Sequence, residues 1–252
     1  MRSIKFVLVI AATMFSAGIA HSQQVYKVGT GVVPFGFSDP KTNSTQGYSV
    51  DIMNGISRDA GFQVQFTGFA SFGQILPALV SKQIDIDASS TTITPERKAM
   101  GADFSDVYAI WTECLVVARN DSTQYKSLDD LKGQVMGAGV GTIYLDDLKA
   151  KGGFKDVKAF ATLEAATNAL KSGEIKAYLT NAAQMTYLQR QGQYQDVLVV
   201  RSYVPVYHSS GGIAVRRGET ELLNKINASL RKLKANGTVK TLADKWGIVP
   251  PT

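Results

Sequence analysis

Cysteine is nearly absent from this sequence, since Cys114 is the single cysteine among 252 residues. One cysteine excludes an internal disulfide. Because apolar Leu115 and Val116 follow it directly, we expect Cys114 to be a small buried side chain.

Histidine and the common catalytic motifs are also scarce. The sequence holds two histidines, and His208 is the one that lies beyond the N-terminal segment. GxSxG, HExxH, CxxC and P-loop patterns are missing, and GAGVGT at 137–142 fits neither GxGxxG nor the P-loop, which requires a lysine. We therefore predict a protein without a metal or cofactor and without catalytic activity.

The longest apolar run, from Phe6 to Ile19, is too short for a comfortable membrane span of about 18 residues or more. Arg2 and Lys5 precede it, and small Ala20 and Ser22 follow it, which together are typical of a secretory signal peptide. We predict that residues 1–22 form this signal and that cleavage follows Ala20 or Ser22. The one cysteine lies far from that point, so the mature protein is expected free in the periplasm and not as a lipoprotein.

The charge pattern does not favour a nucleic-acid partner. The formal net charge is +6, but basic residues are spread along the chain and are dense only at 231–240. That stretch is typical of a solvated helix face. Repeats of 20 to 50 residues and low-complexity tracts are missing as well, which argues against solenoids.

Strand and helix patterns alternate along the chain, which predicts an α/β fold. Predicted strands lie at 25–30, 63–67, 84–88, near 113–118, at 134–138 and at 177–180. Predicted helices lie at 50–60, after Ser71, after Thr94, after Ser127 with Asp130 as capping-box partner, after Thr142, at 163–171 and, as a closing pair, from Leu222 to Asn236 and at 238–247.

Residues 84–108 are the most informative segment. Thr94 is a good N-cap and Pro95 suits the first helical position, so Arg97 falls in the first turn of a short helix. A cation there opposes the helix dipole and needs a compensating anion. From spacing alone, that anion is either a bound ligand or a surface carboxylate such as Asp103 or Asp106.

Several segments carry a family resemblance across nearly the whole mature chain. TITPER at 92–97 is followed by FSDVY at 104–108, and the flanking segments are VPFGF at 33–37, GYSVDI at 47–52, KGQVMGAGVGT at 132–142 and GTVKTLADKWG at 237–247. In this order and spacing the chain resembles the bacterial amino-acid-binding proteins of solute-binding family three, which feed ABC importers.

The resemblance implies a two-lobed periplasmic-binding-protein-like fold of type II, with the ligand cleft between the lobes. Residues 23–110 and 206–252 would form a discontinuous lobe 1, and residues 111–205 would form lobe 2. Two hinge segments, near 109–112 and 203–211, would join them. The implied partners are a small-molecule carboxylate and an inner-membrane ABC permease, and the protein is expected to be a monomer.

The resemblance also implies which residues hold the ligand. In the family the arginine clamps the ligand carboxylate through two parallel hydrogen bonds, and a helix N-terminus of the opposite lobe meets the same group. Phe72 matches an aromatic residue beside the ligand side chain, although its position equally suits a core phenylalanine. The expected ligand-binding residues are Arg97, Ser90, Thr92, Thr142, Ile143, Asn181, Phe72 and Phe35.

Three positions depart from the family pattern. Asn181 stands where relatives that bind free α-amino acids commonly place an acid for the ammonium, Gly31 replaces a second acidic position, and Ile143 replaces a threonine. These changes favour a carboxylate that is not a standard α-amino acid, such as an N-substituted amino acid, an opine-like compound or an organic acid. Asn181 could still accept a hydrogen bond from an ammonium, and Asp87 or Glu113 could supply the missing charge.

We therefore predict the extracytoplasmic binding component of an ABC importer. A few relatives of this fold are dehydratases that act on cyclohexadienyl acids, so a lyase on the same scaffold is the alternative. That reaction needs a general acid in the cleft, which the sequence does not supply in a recognisable motif.

Overall fold

The computed structural model describes residues 23–39 and 42–250. The predicted signal peptide, residues 1–22, lies outside the described residues. The strands are β1 (Val25–Thr30), β2 (Phe37–Ser38), β3 (Thr45–Gln46), β4 (Gln63–Gly68), β5 (Ile86–Thr92), β6 (Ala102–Phe104), β7 (Ala109–Ala118), β8 (Val135–Gly139), β9 (Asp156–Phe160), β10 (Ala177–Asn181), β11 (Val197–Val199) and β12 (His208–Arg216).

The helices alternate with these strands, as the sequence predicted. They are α1 (Tyr48–Ala60), α2 (Ile75–Val80), α3 (Pro95–Ala99), α4 (Ile143–Lys151), α5 (Leu163–Ser172), α6 (Ala182–Arg190), α7 (Thr220–Ala235) and α8 (Thr238–Trp246). Single 3-10 turns cover Phe72–Gln74 and Leu128–Leu131.

One long path of paired strands runs through the molecule in the order β4-β1-β5-β12-β7-β10-β8-β9. Strand β6 pairs with β12, and β11 pairs with β7. We call β1–β6, β12, α1–α3, α7 and α8 the first half, and β8–β11 with α4–α6 the second half. Strand β7 belongs to both halves.

The passage from one half to the other occurs within β7. Residues 109–112 of β7 pair antiparallel with 208–211 of β12, and residues 113–116 pair antiparallel with 178–181 of β10. Two chain segments, 109–113 and the run leading into β12, therefore cross between the halves side by side.

Each half has its own apolar core. In the first half, Ile52, Met53 and Ile56 on one face of α1 are fully buried against Ile226 and Leu230 of α7. In the second half, Leu115, Met136, Leu148 and Leu179 are buried together. Cys114 is buried as expected, and burial raises the pKa of its thiol.

Several local predictions need correction. The predicted helix after Ser127 is one 3-10 turn, although its capping box with Asp130 is present. The helix predicted after Ser71 begins as a 3-10 turn before α2. The strand predicted near 113–118 starts earlier, at Ala109, because β12 lies beside it. Strands β2, β3, β6, β9, β11 and β12 and helix α6 were not predicted.

Candidate functional site

A cleft of about 870 Å³, including its solvent-open part, lies between the two halves. The turn after β5, the start of α3 and the Phe35 loop line it from the first half. The turn after β8, the start of α5 and the end of β10 line it from the second half. All eight predicted site residues line this cleft: Phe35, Phe72, Ser90, Thr92, Arg97, Thr142, Ile143 and Asn181.

Arg97 is held in place by its short helix. The Thr94 hydroxyl accepts a hydrogen bond from the Arg97 amide at 3.2 Å, and Pro95 occupies the first helical position, so the predicted cap is confirmed. The Arg97 side chain is buried. Burial lowers the pKa of Arg97, but a guanidinium stays protonated in proteins.

The guanidinium of Arg97 bonds to backbone on both sides of the cleft. Nη1 donates to the Thr92 carbonyl at 2.8 Å, and Nη2 donates to the Gly141 carbonyl of the second half, also at 2.8 Å. The guanidinium carbon lies 5.3 Å from the centre of the Phe72 ring. Phe72 is thus a cleft residue that also packs, partly buried, against the first-half core.

The surface ion pair that would explain Arg97 without a ligand is not formed. Asp106 pairs with Arg231 at 2.8 Å, and Asp103 accepts from the Gly218 amide. Within residues 23–39 and 42–250, Arg97 has no ion pair. Its charge is balanced only by carbonyl dipoles and more distant carboxylates, of which Asp87 has the largest effect.

Strand β5 ends in a turn rich in hydroxyl groups. Ser90 has a φ of 58°, and its hydroxyl and amide both bond to the Tyr108 hydroxyl, at 2.9 and 3.0 Å. Ser90 is therefore tied to the first-half core while it lines the cleft. Thr92 supplies a carbonyl to Arg97, and its hydroxyl has no hydrogen bond within the described part of the chain.

Asp87 and Glu113, the two acids considered as substitutes for the missing ammonium partner, do not line the cleft. Asp87 is fully buried and accepts from the Ser89 amide, the Ser89 hydroxyl and the Thr91 hydroxyl. Burial raises the pKa of Asp87, and the hydrogen bonds from Ser89 and Thr91 oppose that rise. This carboxyl group therefore stabilises the end of β5 through hydrogen bonds and does not face the cleft.

Glu113 has an equally structural position. Its Oε1 accepts from the Tyr203 hydroxyl at 3.0 Å and from the Val206 amide at 2.6 Å, and its Oε2 accepts from the Tyr207 amide at 3.0 Å. These bonds fasten the segment that leads into β12 onto β7.

On the second half, the turn after β8 carries Thr142 and Ile143 to the cleft. Thr142 is the N-cap residue of α4, as predicted, but its side chain makes no capping hydrogen bond, because its hydroxyl donates back to the Gly139 carbonyl at 2.7 Å. At the start of α4 the Leu145 amide donates to the Thr142 carbonyl at 3.3 Å, whereas the Ile143 and Tyr144 amides come before the first intrahelical hydrogen bond. Such amides favour an anion.

The two halves touch at the rim of this turn. Gly141 has a φ of 74°, and a Cβ built on it would lie 2.6 Å from the Gly73 Cα. Backbone thus meets backbone across the cleft. A second contact joins Phe37 and Trp246 of the first half to Tyr187 of α6, with ring centres 5.8 and 6.1 Å from that of Tyr187.

Asn181 ends β10 and caps α6. Its Oδ1 accepts from the Gln184 amide at 3.2 Å. The Nδ2 group has no hydrogen bond within the described residues.

Four aromatic residues that line the cleft were missed by sequence reasoning: Trp111, Tyr144, Phe160 and Tyr178. The ring of Trp111, on β7, lies 5.4 Å from that of Phe35, and Tyr144 reaches the cleft from the first turn of α4. Trp111 falls in a segment interpreted only as a hinge, and Tyr144 reads as an ordinary apolar helix position. Neither carries a sequence signal that separates it from a core residue.

Groups suited to catalysis do not converge in the described part of this cleft. His208 is exposed on β12 and is not a lining residue. No group of three or more His, Cys, Asp or Glu side chains in residues 23–39 and 42–250 is placed to hold a metal ion.

The bacterial extracellular solute-binding proteins, family 3, match this chain over residues 26–249. The chain belongs to this family. The resemblance inferred from the TITPER segment is thereby confirmed.

Among its relatives is the glutamine-binding protein GlnH of an ABC transporter in Bacillus subtilis strain 168. It is 30% identical over 226 residues, with 88% of this chain and 80% of GlnH covered. A solved ancestral arginine-binding protein bound to arginine is 34% identical with a TM-score of 0.78, covering 90% of this chain and 99% of the other. The two-lobed α/β fold is therefore confirmed.

A third relative bears on the lyase alternative. The solved ancestral amino acid-binding protein AncCDT-1, described as a precursor of cyclohexadienyl dehydratase, is 30% identical with a TM-score of 0.76, covering 88% of this chain and 95% of the other. That likeness is to a binding protein and does not favour the lyase. Among the described residues, no helix has the length and apolar character needed to cross a membrane.

Proposed function

We propose that this solute-binding protein captures a small carboxylate, an amino acid or an amino-acid derivative, in the cleft between its halves. It then delivers the ligand to an inner-membrane ABC permease. The protein would act in the periplasm as a monomer, after removal of residues 1–22. Relatives named for glutamine and arginine binding support this ligand class.

Arg97 carries the proposal. Its guanidinium is buried, has no ion pair in the described residues and is the one charged side chain among the described residues that line the cleft. A buried charge without an oppositely charged partner is costly, and a carboxylate is the group that pairs with a guanidinium in two parallel hydrogen bonds. The free amides at the start of α4 would bind the same anion from the opposite side.

We further propose lobe boundaries for the movement. Residues 23–110 with 206–252 would form lobe 1, and residues 111–205 would form lobe 2, with hinges at 109–112 and 203–211. The antiparallel pairing of 109–112 with 208–211 supports two adjacent hinge strands. Ligand binding would favour the closed form because one anion then binds groups of both lobes.

Closure can be followed through tryptophan fluorescence. The chain has two tryptophans, Trp111 in the cleft and Trp246 beside Tyr187 of the other half. In a Trp111→Phe variant, ligand should change the emission of Trp246, and small-angle scattering should show a smaller radius of gyration. Unchanged emission and unchanged radius at saturating ligand would refute closure.

The ligand class is tested by thermal shift of the purified protein against amino acids, opines and organic acids, because a ligand that binds only the folded form raises the melting temperature. Calorimetry then gives the Kd of each hit. If uncharged or cationic compounds stabilise the protein and carboxylates do not, the proposed function is wrong. We also propose that the protein is not an enzyme and returns its ligand unchanged.

A further inference from the structure

The charges that line the cleft restrict the ligand more tightly than the carboxylate site alone. Arg97 is a cation, and the described residues lining the cleft include no Asp or Glu. An α-amino acid bound through its carboxylate would therefore bury its ammonium without an anionic partner. Desolvation of an unpaired ammonium is unfavourable, and the nearby guanidinium repels it.

Asn181 presents a hydrogen-bond donor at this place. The Gln184 backbone amide can only donate, so the 3.2 Å bond fixes the Asn181 oxygen toward the start of α6. The Nδ2 group must then face the other way, and it makes no hydrogen bond within the described residues. The residue as a whole is 9% exposed, and it lines the cleft. What it offers a ligand is an N–H donor, which matches an oxygen and not an ammonium.

The sheet places this donor close to the carboxylate site. Strands β8 and β10 are parallel neighbours, with Leu179 beside Ala138. The pairing ends there, and both strands lead to residues that line the cleft, Asn181 at the end of β10 and Val140 just after β8. The next residue, Gly141, accepts the Arg97 hydrogen bond. Asn181 and the turn that accepts from Arg97 therefore follow the same ends of adjacent parallel strands, and Asn181 and Arg97 line one cleft.

The remaining wall of the cleft is uncharged and combines polar side chains, such as Ser71, Thr162, Thr180 and Gln184, with an apolar surface. Phe35, Trp111, Phe160, Val32 and Leu163 line it and bring no charge. Such a surface favours an aliphatic or aromatic side chain, because each buried apolar group gains free energy on leaving water.

We infer that the ligand bears an oxygen acceptor in place of an ammonium on the carbon next to its carboxylate. This inference rests on the carboxylate site proposed above. The ligand class is 2-oxo and 2-hydroxy acids with an apolar side chain. Asn181 is the residue that selects this class, through its Nδ2 donor.

Two compound series that differ only at carbon 2 test the inference. One series is 4-methyl-2-oxopentanoate, its 2-hydroxy analogue, leucine and 4-methylpentanoate, and the other is phenylpyruvate, 3-phenyllactate, phenylalanine and 3-phenylpropanoate. By calorimetry, the oxo or hydroxy member of at least one series should bind about tenfold or more tighter than its amino member. The unsubstituted acid should lie between them.

Asn181→Asp provides the decisive comparison. Aspartate keeps one oxygen for the helix cap and turns the other, now charged, toward the ligand. The ratio of the oxo-acid Kd to the amino-acid Kd should rise by about a hundredfold, because the oxo acid loses a donor and the ammonium gains an anion. Asn236→Asp is the matched control, since Asn236 is an exposed residue whose Oδ1 accepts from the Thr238 amide outside the cleft. Its ratio should stay that of the wild type.

The outcomes separate this inference from the proposed function. If leucine or phenylalanine binds tighter than its oxo and hydroxy analogues, or if Asn181→Asp leaves the ratio unchanged, the inference is overturned. In that case, Arg97→Met tests whether the proposed carboxylate site is correct. Loss of amino-acid binding in that variant would leave the carboxylate site standing. If no member of either series binds with a Kd below about 1 mM, the inference is likewise overturned.

Discussion

Replacement of Arg97 by methionine is the most direct test of the cleft. Methionine keeps much of the side-chain volume but removes the charge and five N–H donors. The ligand carboxylate would then be buried without a charged partner, which costs about 2 to 5 kcal/mol. Since 1.4 kcal/mol is a tenfold change, the Kd should rise by about 30-fold to several thousandfold.

The fold should tolerate this change. Arg97 loses its hydrogen bonds to the Thr92 and Gly141 carbonyls, each worth about 1 kcal/mol net. Removal of a buried charge offsets part of that loss. We expect the free energy of unfolding to fall by no more than about 2 kcal/mol, so the variant can be purified and compared with the wild type.

The assay is calorimetry with the carboxylate that binds wild type most tightly in the panels above. Arg119→Met is the matched control, because Arg119 is exposed and donates to the Gln195 carbonyl at 2.9 Å, away from the cleft. A Kd for Arg97→Met within a few-fold of the wild-type value, with an intact circular dichroism spectrum, would refute the assignment of the whole cleft.

Further predictions concern closure, acid stability, chemistry and selectivity. Gly141→Ala should raise the Kd of the ligand, because the added Cβ would lie 2.6 Å from the Gly73 Cα and hinder closure. Its secondary structure should change little. Wild-type affinity in a variant whose closure is verified by small-angle scattering would contradict this. Burial alone would raise the pKa of Asp121, but hydrogen bonds from Lys176, Thr123 and Tyr125 outweigh it and lower the pKa from 3.8 to about 2. The contribution of Asp121 to the free energy of unfolding is present above pH 3.8 and is lost as pH falls through 2. In urea unfolding, Asp121→Asn should therefore lower the free energy of unfolding by about 1 to 2 kcal/mol at pH 7 and by almost nothing at pH 2. A loss that does not depend on pH would count against this. Mass spectrometry should recover the ligand unchanged, and turnover of prephenate or arogenate would disprove a purely binding role. Arginine should leave the melting temperature unchanged, because no carboxylate among the described lining residues meets its guanidinium; a clear upward shift would contradict that.

The parts of the fold that sequence reasoning found are those with strong local signals. The Thr94 cap, the following proline and the Ser127 capping box depend on a few adjacent residues, so spacing alone predicts them. Strand β12, by contrast, reads HSSGGIAVR, with serines and glycines that are typical of a loop. It becomes a central strand because β5 and β7 bury it from both sides, which is a tertiary effect.

The candidate site shows the same division. The motif at 92–97 predicted that Arg97 faces the ligand cleft, but no local pattern shows that its guanidinium also reaches Gly141 of the other half. From sequence, the carboxylates of Asp87 and Glu113 looked available to a ligand. The groups that donate hydrogen bonds to them, at positions 89 to 91 and 203 to 207, are recognised only in three dimensions. Helix α6 was missed because AAQMTYLQR has a weak apolar stripe.

The position of β12 in the sheet has a consequence for the order in which the chain folds. Gly211 pairs with Thr92, so the centre of the first half joins segments 119 residues apart. Contacts of such long sequence separation form late, since the loop between them must be closed first. Strands β7 to β11 follow one another in the sequence, so the second half can fold before β12 completes the sheet of the first half. A chain that is synthesised or exported N-terminus first therefore has an incomplete sheet, with β5 unpaired on one side, until the segment that forms β12 has appeared.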